Sequence, residues 1–206
     1  MVQPVLRFLA GHRPYERCVE AMHERAAAIA AGAPPEIWVL EHAPVISAGR
    51  QTGEGEIFAP ADVAVVRTDR GGKATWHGPG QLVIYPLLRV ADYRLGVRRW
   101  VQLLLQTGAQ SLEQLGIAVR LDEDAIGLYT ARGKIASLGI HVERGVSTHG
   151  VSLNVQLQPN GFQWIDPCGV RGGAVDQISA YRSDVSVRQL ADIWLAQLSH
   201  NLAAMG

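Results

Sequence analysis

Three side chains in this sequence stand where packing alone does not ask for them. Cys168 lies in Asp166-Pro167-Cys168-Gly169, a turn-forming composition, whereas a thiol serving only as a small apolar group belongs on a helix or strand. Lys134 opens an alternating run in which it shares a strand face with Ala136, Leu138, Ile140 and Val142, because strand side chains repeat every second residue. After a turn at Glu143, Arg144 and Gly145, a second strand places His149 in phase with Val151, Leu153 and Val155. The pattern predicts a hairpin with an amine and an imidazole on its apolar face, followed by a thiol in a loop.

A thiol and an amine together suit acyl transfer. Cysteine reacts as the thiolate, and an ordinary thiol of pKa ~8.5 is only about 3% ionised at neutral pH. A neighbouring cation raises that fraction, but a drop of ~2 pKa units costs about tenfold in intrinsic nucleophilicity, so activating sulfur is the smaller problem. If the acyl group passes on to an amine of pKa ~10.4, only about 0.04% of that amine is neutral at pH 7, a burden of ~4.6 kcal/mol unless a base removes the proton. An amine among apolar groups gives up its proton more readily than one in water. Lys134 is therefore the candidate to protonate the departing thiol and later take a proton from the incoming amine. The competing reading makes Lys134 a residue whose stem runs along the sheet edge to water. A hydrolase trio of Cys168, His149 and Asn154 is disfavoured, because His149 and Asn154 differ in parity on one strand. No metal is expected, since the histidines offer no close ligand pair and Cys168 stands alone.

The elements that must position these groups read as an α/β (α+β) fold, one domain over residues 1–206 with a mixed, largely antiparallel sheet and flanking helices. Strand character at Val5–Ala10 leads into a helix with Tyr15, Val19, Met22, Ala26 and Ile29 at helical spacing, beside which Cys18 reads as a small buried apolar group. Gly32–Pro35 ends that helix, and Ile37–Leu40, apolar throughout, reads as a strand covered on both faces. Residues 41–56, EHAPVISAGRQTGEGE, are rich in Gly, Pro and polar types and are expected to run over the surface, with His42 read as solvated or capping rather than catalytic.

Val63–Thr68 delivers the chain into RGGKATWHGPGQ at 70–81, a Gly- and Pro-rich stretch that either joins strands tightly or wraps a ligand with its own amides. Neither the Walker nor the Rossmann glycine spacing is present. Leu82–Leu88 follows as a strongly apolar strand. Between Gly96 and Gly116 a helix is predicted on the stripe Val97, Val101, Leu104, Leu105, Leu112 and Leu115, and a short strand at 126–130 precedes the hairpin. Ser186 and Gln189 form a capping-box signature for a last helix through Leu190, Trp194, Leu198 and Leu202. Lys plus Arg and Asp plus Glu both total 19, and 48% of residues are hydrophobic, which argues against disorder and against a general nucleic-acid surface. No apolar run approaches the roughly 20 residues that span a bilayer, and the start lacks a signal-peptide pattern. With two cysteines read as free thiols, a cytoplasmic protein is expected.

Four stretches, RGGKATWHGPGQ at 70–81, GKIASLG at 133–139, THGVSLNV at 148–155 and PCG at 167–169, resemble in order and spacing the lipoyl(octanoyl) transferases. The resemblance implies the α/β catalytic module shared with lipoate- and biotin-protein ligases. It also implies transfer of an octanoyl or lipoyl group from acyl carrier protein to a lysine of a lipoyl domain, through an acyl-thioester on cysteine. Acceptors would be lipoyl domains of 2-oxoacid dehydrogenase subunits and the glycine cleavage H protein, with neither ATP nor a metal as cofactor. Carried over by motif, the nucleophile is Cys168 and the lysine that tunes it is Lys134. Substrate contacts fall on Arg70, Gly71, Gly72, Lys73, Ala74, Thr75, Trp76 and His77, on Ser137, Leu138 and Gly139, and on Gly150, Val151 and Ser152. His149 joins them from its strand position beside the last segment. Trp76 stands where the family usually has tyrosine or phenylalanine, Ser152 where alanine is common, and RGGAVDQIS strays from the usual Thr-Ser composition around Asp176 and Gln177. An acidic carrier would meet Arg70, Lys73 or the Arg98 and Arg99 pair. The alternatives on the same fold are an ATP-dependent lipoate or biotin ligase and a non-catalytic lipoyl-domain binder.

Overall fold

The structure, a computed structural model, describes residues 3–122, 126–158, 160–166 and 173–204. Pro167, Cys168 and Gly169 lie outside the described residues, and with them the expected thiol-bearing turn. In chain order the elements are β1 (Val5–Arg13), α1 (Tyr15–Ala30), β2 (Glu36–His42), β3 (Val45–Ala48), β4 (Val65–Arg67), β5 (Ala74–His77), β6 (Gln81–Arg89), α2 (Val97–Gln114), β7 (Arg120–Asp122), β8 (Gly127–Tyr129), β9 (Lys134–Glu143), β10 (Val146–Asn154) and α3 (Val187–Ala203). The larger sheet has the order β1-β2-β6-β10-β9-β8-β7, and a smaller one the order β4-β3-β5. In the larger sheet β1 and β2 are parallel and the other pairs antiparallel, the mixed α+β architecture that the element pattern predicts.

Strand alternation divides the core in two. Ile37, Val39, Leu82, Ile84, Val151 and Leu153 pack against Leu104 and Leu112 of α2 and Trp194 and Leu198 of α3. Trp38, Leu40, Val83, Tyr85 and Leu87 face the other way, against Cys18, Met22, Ala26 and Ile29 of α1. Both β2 and β6 are thus covered on two faces, and each fully buried Leu, Ile or Val contributes about 1.5–3 kcal/mol. The capping box forms at the start of α3, where Gln189 N donates to Ser186 Oγ at 3.2 Å and Ser186 N to Gln189 Oε1 at 2.9 Å. The β9–β10 turn has φ of 50° at Arg144 and 80° at Gly145, two left-handed residues whose twist matches the hairpin. No helix among the described residues is long and apolar enough to cross a membrane.

Two expectations are corrected. Residues 41–56 do not simply run over the surface: Val45–Ala48 is a buried strand of the small sheet, and His42 closes β2 with no exposure at all. A four-residue strand with a small residue at two positions is too short to stand out of its Gly- and Pro-rich flanks. In α2, Val97 is 48% exposed, while Trp100 is fully buried and donates from Nε1 to Ser147 Oγ at 3.0 Å. The buried arc also holds Thr107 and Ser111, whose hydroxyls bond back to the carbonyls of Leu103 and Thr107. Polar residues satisfied within their own helix can face a neighbour, which an apolar stripe does not register.

Candidate active site

Two irregularities decide where the hairpin's titratable groups point. Leu128 of β8 pairs with Ala136, but its neighbour Tyr129 pairs with Lys134, so Ile135 is an extra residue on β9. The bulge keeps Leu128, Ile135 and Ala136 together in the core under α2 and α3 and turns Lys134 to the opposite face. The expectation that Lys134 shares the face of Ala136, Leu138, Ile140 and Val142 is thereby overturned. Its stem passes under Gly127, where a Cβ would stand 2.6 Å from Lys134 Cε and 3.1 Å from Nζ. Lys134 is 8% exposed, and Nζ donates to Ile126 O at 3.2 Å and sits 5.5 Å from the Tyr129 ring centre.

His149 departs from alternation for another reason. Its φ is 55°, left-handed for a residue with a side chain. Ser147 and Val151 face α2, yet the His149 ring lies edge-on to Tyr85 on the α1 side, with Nε2 2.8 Å from Asp69 Oδ1. The predicted phasing of His149 with Val151, Leu153 and Val155 fails there. Opposite this kink, β6 carries Pro86, which has no N–H to give, and the β6–β10 pairs resume only at Ile84 with Val151. Gly150 must be glycine, since a Cβ would lie 2.1 Å from Ile84 O.

On this face a cavity of about 320 Å³ opens, at the lower end of the range for small-ligand pockets. Its walls include Arg70, Gly71, Gly72, Lys73, Ala74, Thr75 and His77, then Lys134, Ser137, Leu138 and Gly139, then His149, Gly150, Val151 and Ser152. Three of the four segments singled out in the sequence thus come together from two sheets, and Ala74–His77 proves to be a strand rather than part of a loop. Trp76 is the exception. It points away, into a cluster with Phe162 and Ile165 and edge-on to Trp164 at 5.6 Å. Tyr15, Tyr85, Ile126 and Phe162 also line the cavity, and nothing in the local sequence marks them.

A chain of hydrogen bonds runs from the glycine-rich segment to the backbone of Lys134. Arg70 Nη2 donates to Ser47 Oγ (2.9 Å), Ser47 Oγ lies 3.1 Å from His77 Nε2, and His77 Nδ1 2.7 Å from Gln81 Oε1. Gln81 Nε2 donates to Trp76 O and Asn154 Oδ1, and Asn154 Nδ2 to Asp176 O (3.0 Å) and Lys134 O (3.4 Å). Because the carbonyls of Trp76, Asp176 and Lys134 can only accept, both amides have one orientation, and His77 must donate from Nδ1 and accept from Ser47 at Nε2. Complete burial holds the His77 ring neutral, well below its ordinary pKa. His42 is lowered from 6.5 to about 4, also chiefly by burial, with Nδ1 2.9 Å from Arg13 O and Nε2 2.7 Å from the Tyr85 hydroxyl.

Asp69 faces three histidines: His149 at 2.8 Å, His141 at 3.5 Å and His23 of α1 at 3.7 Å. The hydrogen bond from His149 holds its carboxyl far below the usual range, while burial lowers His149 against the pull of Asp69. Arg70 is only 7% exposed, its other donors on Ser47 O and Gly71 O, and Lys73 is paired with Glu56. Arg70 is therefore built into the cavity wall and is no docking residue for an acidic carrier; Arg98 and Arg99 are exposed. Asn154 and His149 have separate partners, so neither serves the other in a hydrolase trio. Among the described residues no group of three or more His, Cys, Asp or Glu is arranged to hold a metal ion.

The chain as a whole is similar to known proteins in sequence and in fold. Residues 15–199 match the family description Lipoyl protein ligase A/B catalytic domain. An octanoyltransferase of Citrobacter koseri is 41% identical over 189 residues, covering 91% of this chain and 88% of the relative. One from Escherichia coli is 42% identical over 182 residues, covering 88% and 85%. Among solved structures, lipoate-protein ligase A bound with ATP superposes with a TM-score of 0.74 at 17% identity, covering 97% of this chain and 86% of the other, a likeness of fold. Matched over most of its length by sequence and in fold, the chain belongs to the octanoyltransferases within the lipoyl protein ligase A/B family.

Proposed function

We propose that the chain moves an octanoyl group from a carrier-protein thioester to the ε-amine of a lysine on a lipoyl domain, by way of a thioester on Cys168. The thiolate of Cys168 attacks the carrier thioester carbonyl, the bond to the carrier sulfur breaks, and that sulfur leaves with the proton of the Lys134 ammonium. The acceptor's neutral amine then attacks the acyl-cysteine. Lys134 takes the proton from nitrogen, and Cys168 departs as thiolate, restoring the starting pair. Acceptors of this kind would be the lipoyl domains of 2-oxoacid dehydrogenase subunits and the glycine cleavage H protein.

The observation that carries this reading is the buried Lys134 amine, turned by the bulge onto the cavity that the family's substrate-contact segments line. A lysine on the core face under the helices would have nothing to act on. Incubation with octanoyl-carrier protein should add one octanoyl group to the intact mass, removable by hydroxylamine and absent from Cys168→Ser. Persistence of the labile adduct in that variant would remove Cys168 from the mechanism. The rival reading, suggested by the fold likeness to the ATP-bound ligase, is ATP-dependent ligation. Transfer to a lipoyl domain from the carrier thioester without ATP supports the first reading, and strict dependence on ATP the second.

A further inference from the structure

Asp176 belongs to the segment that strays from the family's usual composition, and its surroundings are built with unusual completeness. It is 4% exposed. Its Oδ2 accepts from Thr130 Oγ1 and from the Tyr181 hydroxyl, both at 2.6 Å, and Oδ1 accepts from Gln177 N at 2.9 Å, with Arg132 Nε 3.7 Å away. The backbone is as fully used: Asp176 N donates to Lys134 O and Lys134 N to Ala174 O, each at 2.9 Å, while Asp176 O accepts from Asn154. At this level β10 has already left β9, their last pair being Leu153 with Ala136. Residues 174–176 take its place, with Val175 bridged in parallel to Lys134. The cavity lysine is thus held on one side by β8 and on the other by a segment with no strand of its own, secured by the Asp176 carboxylate together with the Asn154 amide.

We infer that Asp176 is a positioning residue for the proposed transfer: held by Thr130 and Tyr181, it locks residues 174–176 onto the backbone of Lys134 and so fixes where the Lys134 amine stands in the cavity. It touches no substrate and acts through Lys134. The inference rests on the role given to Lys134 above. A buried carboxylate that accepts from two hydroxyls and an amide is ordered by all three, and the segment it anchors inherits that order.

The test is a double-mutant cycle on single-turnover octanoyl transfer, using the full chain. Lys134→Ala alone reports on the proposed function, because transfer at the wild-type rate in that variant would undo the reading of Lys134. Asp176→Ala is expected to lower the transfer rate at least tenfold with KM for the carrier changed less than twofold, and Asp176→Asn to recover part of the loss. In the Lys134→Ala background, Asp176→Ala should cause no further loss. Unchanged transfer in Asp176→Ala, or losses that multiply in the double variant, would overturn the inference while leaving the proposed function standing. Should Asp176→Ala not fold, the cycle is run with Tyr181→Phe, a change at a residue 41% exposed. A roughly threefold loss that vanishes in Lys134→Ala supports the inference, and no loss or a multiplicative one overturns it.

Discussion

An amine enclosed by protein needs room for its stem as well as partners for its head, and at Lys134 the room is made by a missing side chain. A Cβ at Gly127 would stand 2.6 Å from Lys134 Cε and equally close to Ala136 O, and the carbonyl, part of the sheet, cannot retreat. Gly127→Ala should therefore push the lysine from its seat, lowering octanoyl transfer more than tenfold and stability by about 1–3 kcal/mol, read from single-turnover rates and urea midpoints. Three of the four sequence stretches, 70–81, 133–139 and 148–155, contribute residues to the cavity wall, because they carry its lining glycines and the lysine itself, while the fourth, 167–169, lies outside the described residues. What they do not reveal is the direction of Lys134 and His149. Counting by twos assumes an unbroken pleat, and one inserted residue at Ile135 and one left-handed backbone at His149 break it. The partner Ser47 is equally hidden, since it meets His77 only through the pairing of β3 with β5, strands well separated in sequence.

At the level of elements, local signals fare best where their physics is local. The Arg144-Gly145 turn and the Ser186–Gln189 box are both where the sequence puts them, and removing the cap by Ser186→Ala should cost about 1 kcal/mol of stability in thermal or urea unfolding. The central strands carry a different constraint. Between β6 and β10 the ladder gives way opposite Pro86, and Gly150 lets the two backbones approach at that point. Gly150→Ala should cost roughly 3 kcal/mol or more, at the upper end for overpacking, because the added carbon meets backbone oxygen and no flexible side chain can yield. Loss of soluble protein, or a midpoint shift of that size, is the expected result, and a midpoint equal to wild type would show that the strands can part.

For the molecule as a whole, the neutral buried histidines set how stability depends on acidity. Above pH 6.5 His42 is neutral whether folded or not; below it, the unfolded chain takes a proton that the folded one refuses until about pH 4. Stability should therefore fall across that window, by ~2 kcal/mol at pH 5 from His42 alone, with His77 and His149 acting in the same direction. Asp69 acts in the same direction in a lower window: its contribution is present above pH 3.8 and is lost as pH falls below that value. Urea midpoints should be lower at pH 5 than at pH 7.5, and His42→Gln should shrink the difference by about its own share. The side-chain relay between Arg70 and Asn154 has a consequence of its own. Arginine has no lone pair to offer, so the relay that starts at Arg70 has a fixed polarity and cannot be reversed by a passing proton. The carboxamide beside Lys134 is in effect oriented by a permanent cation in a distant part of the sequence, and it keeps its hydrogens toward the lysine's carbonyl whichever way protons move at the amine.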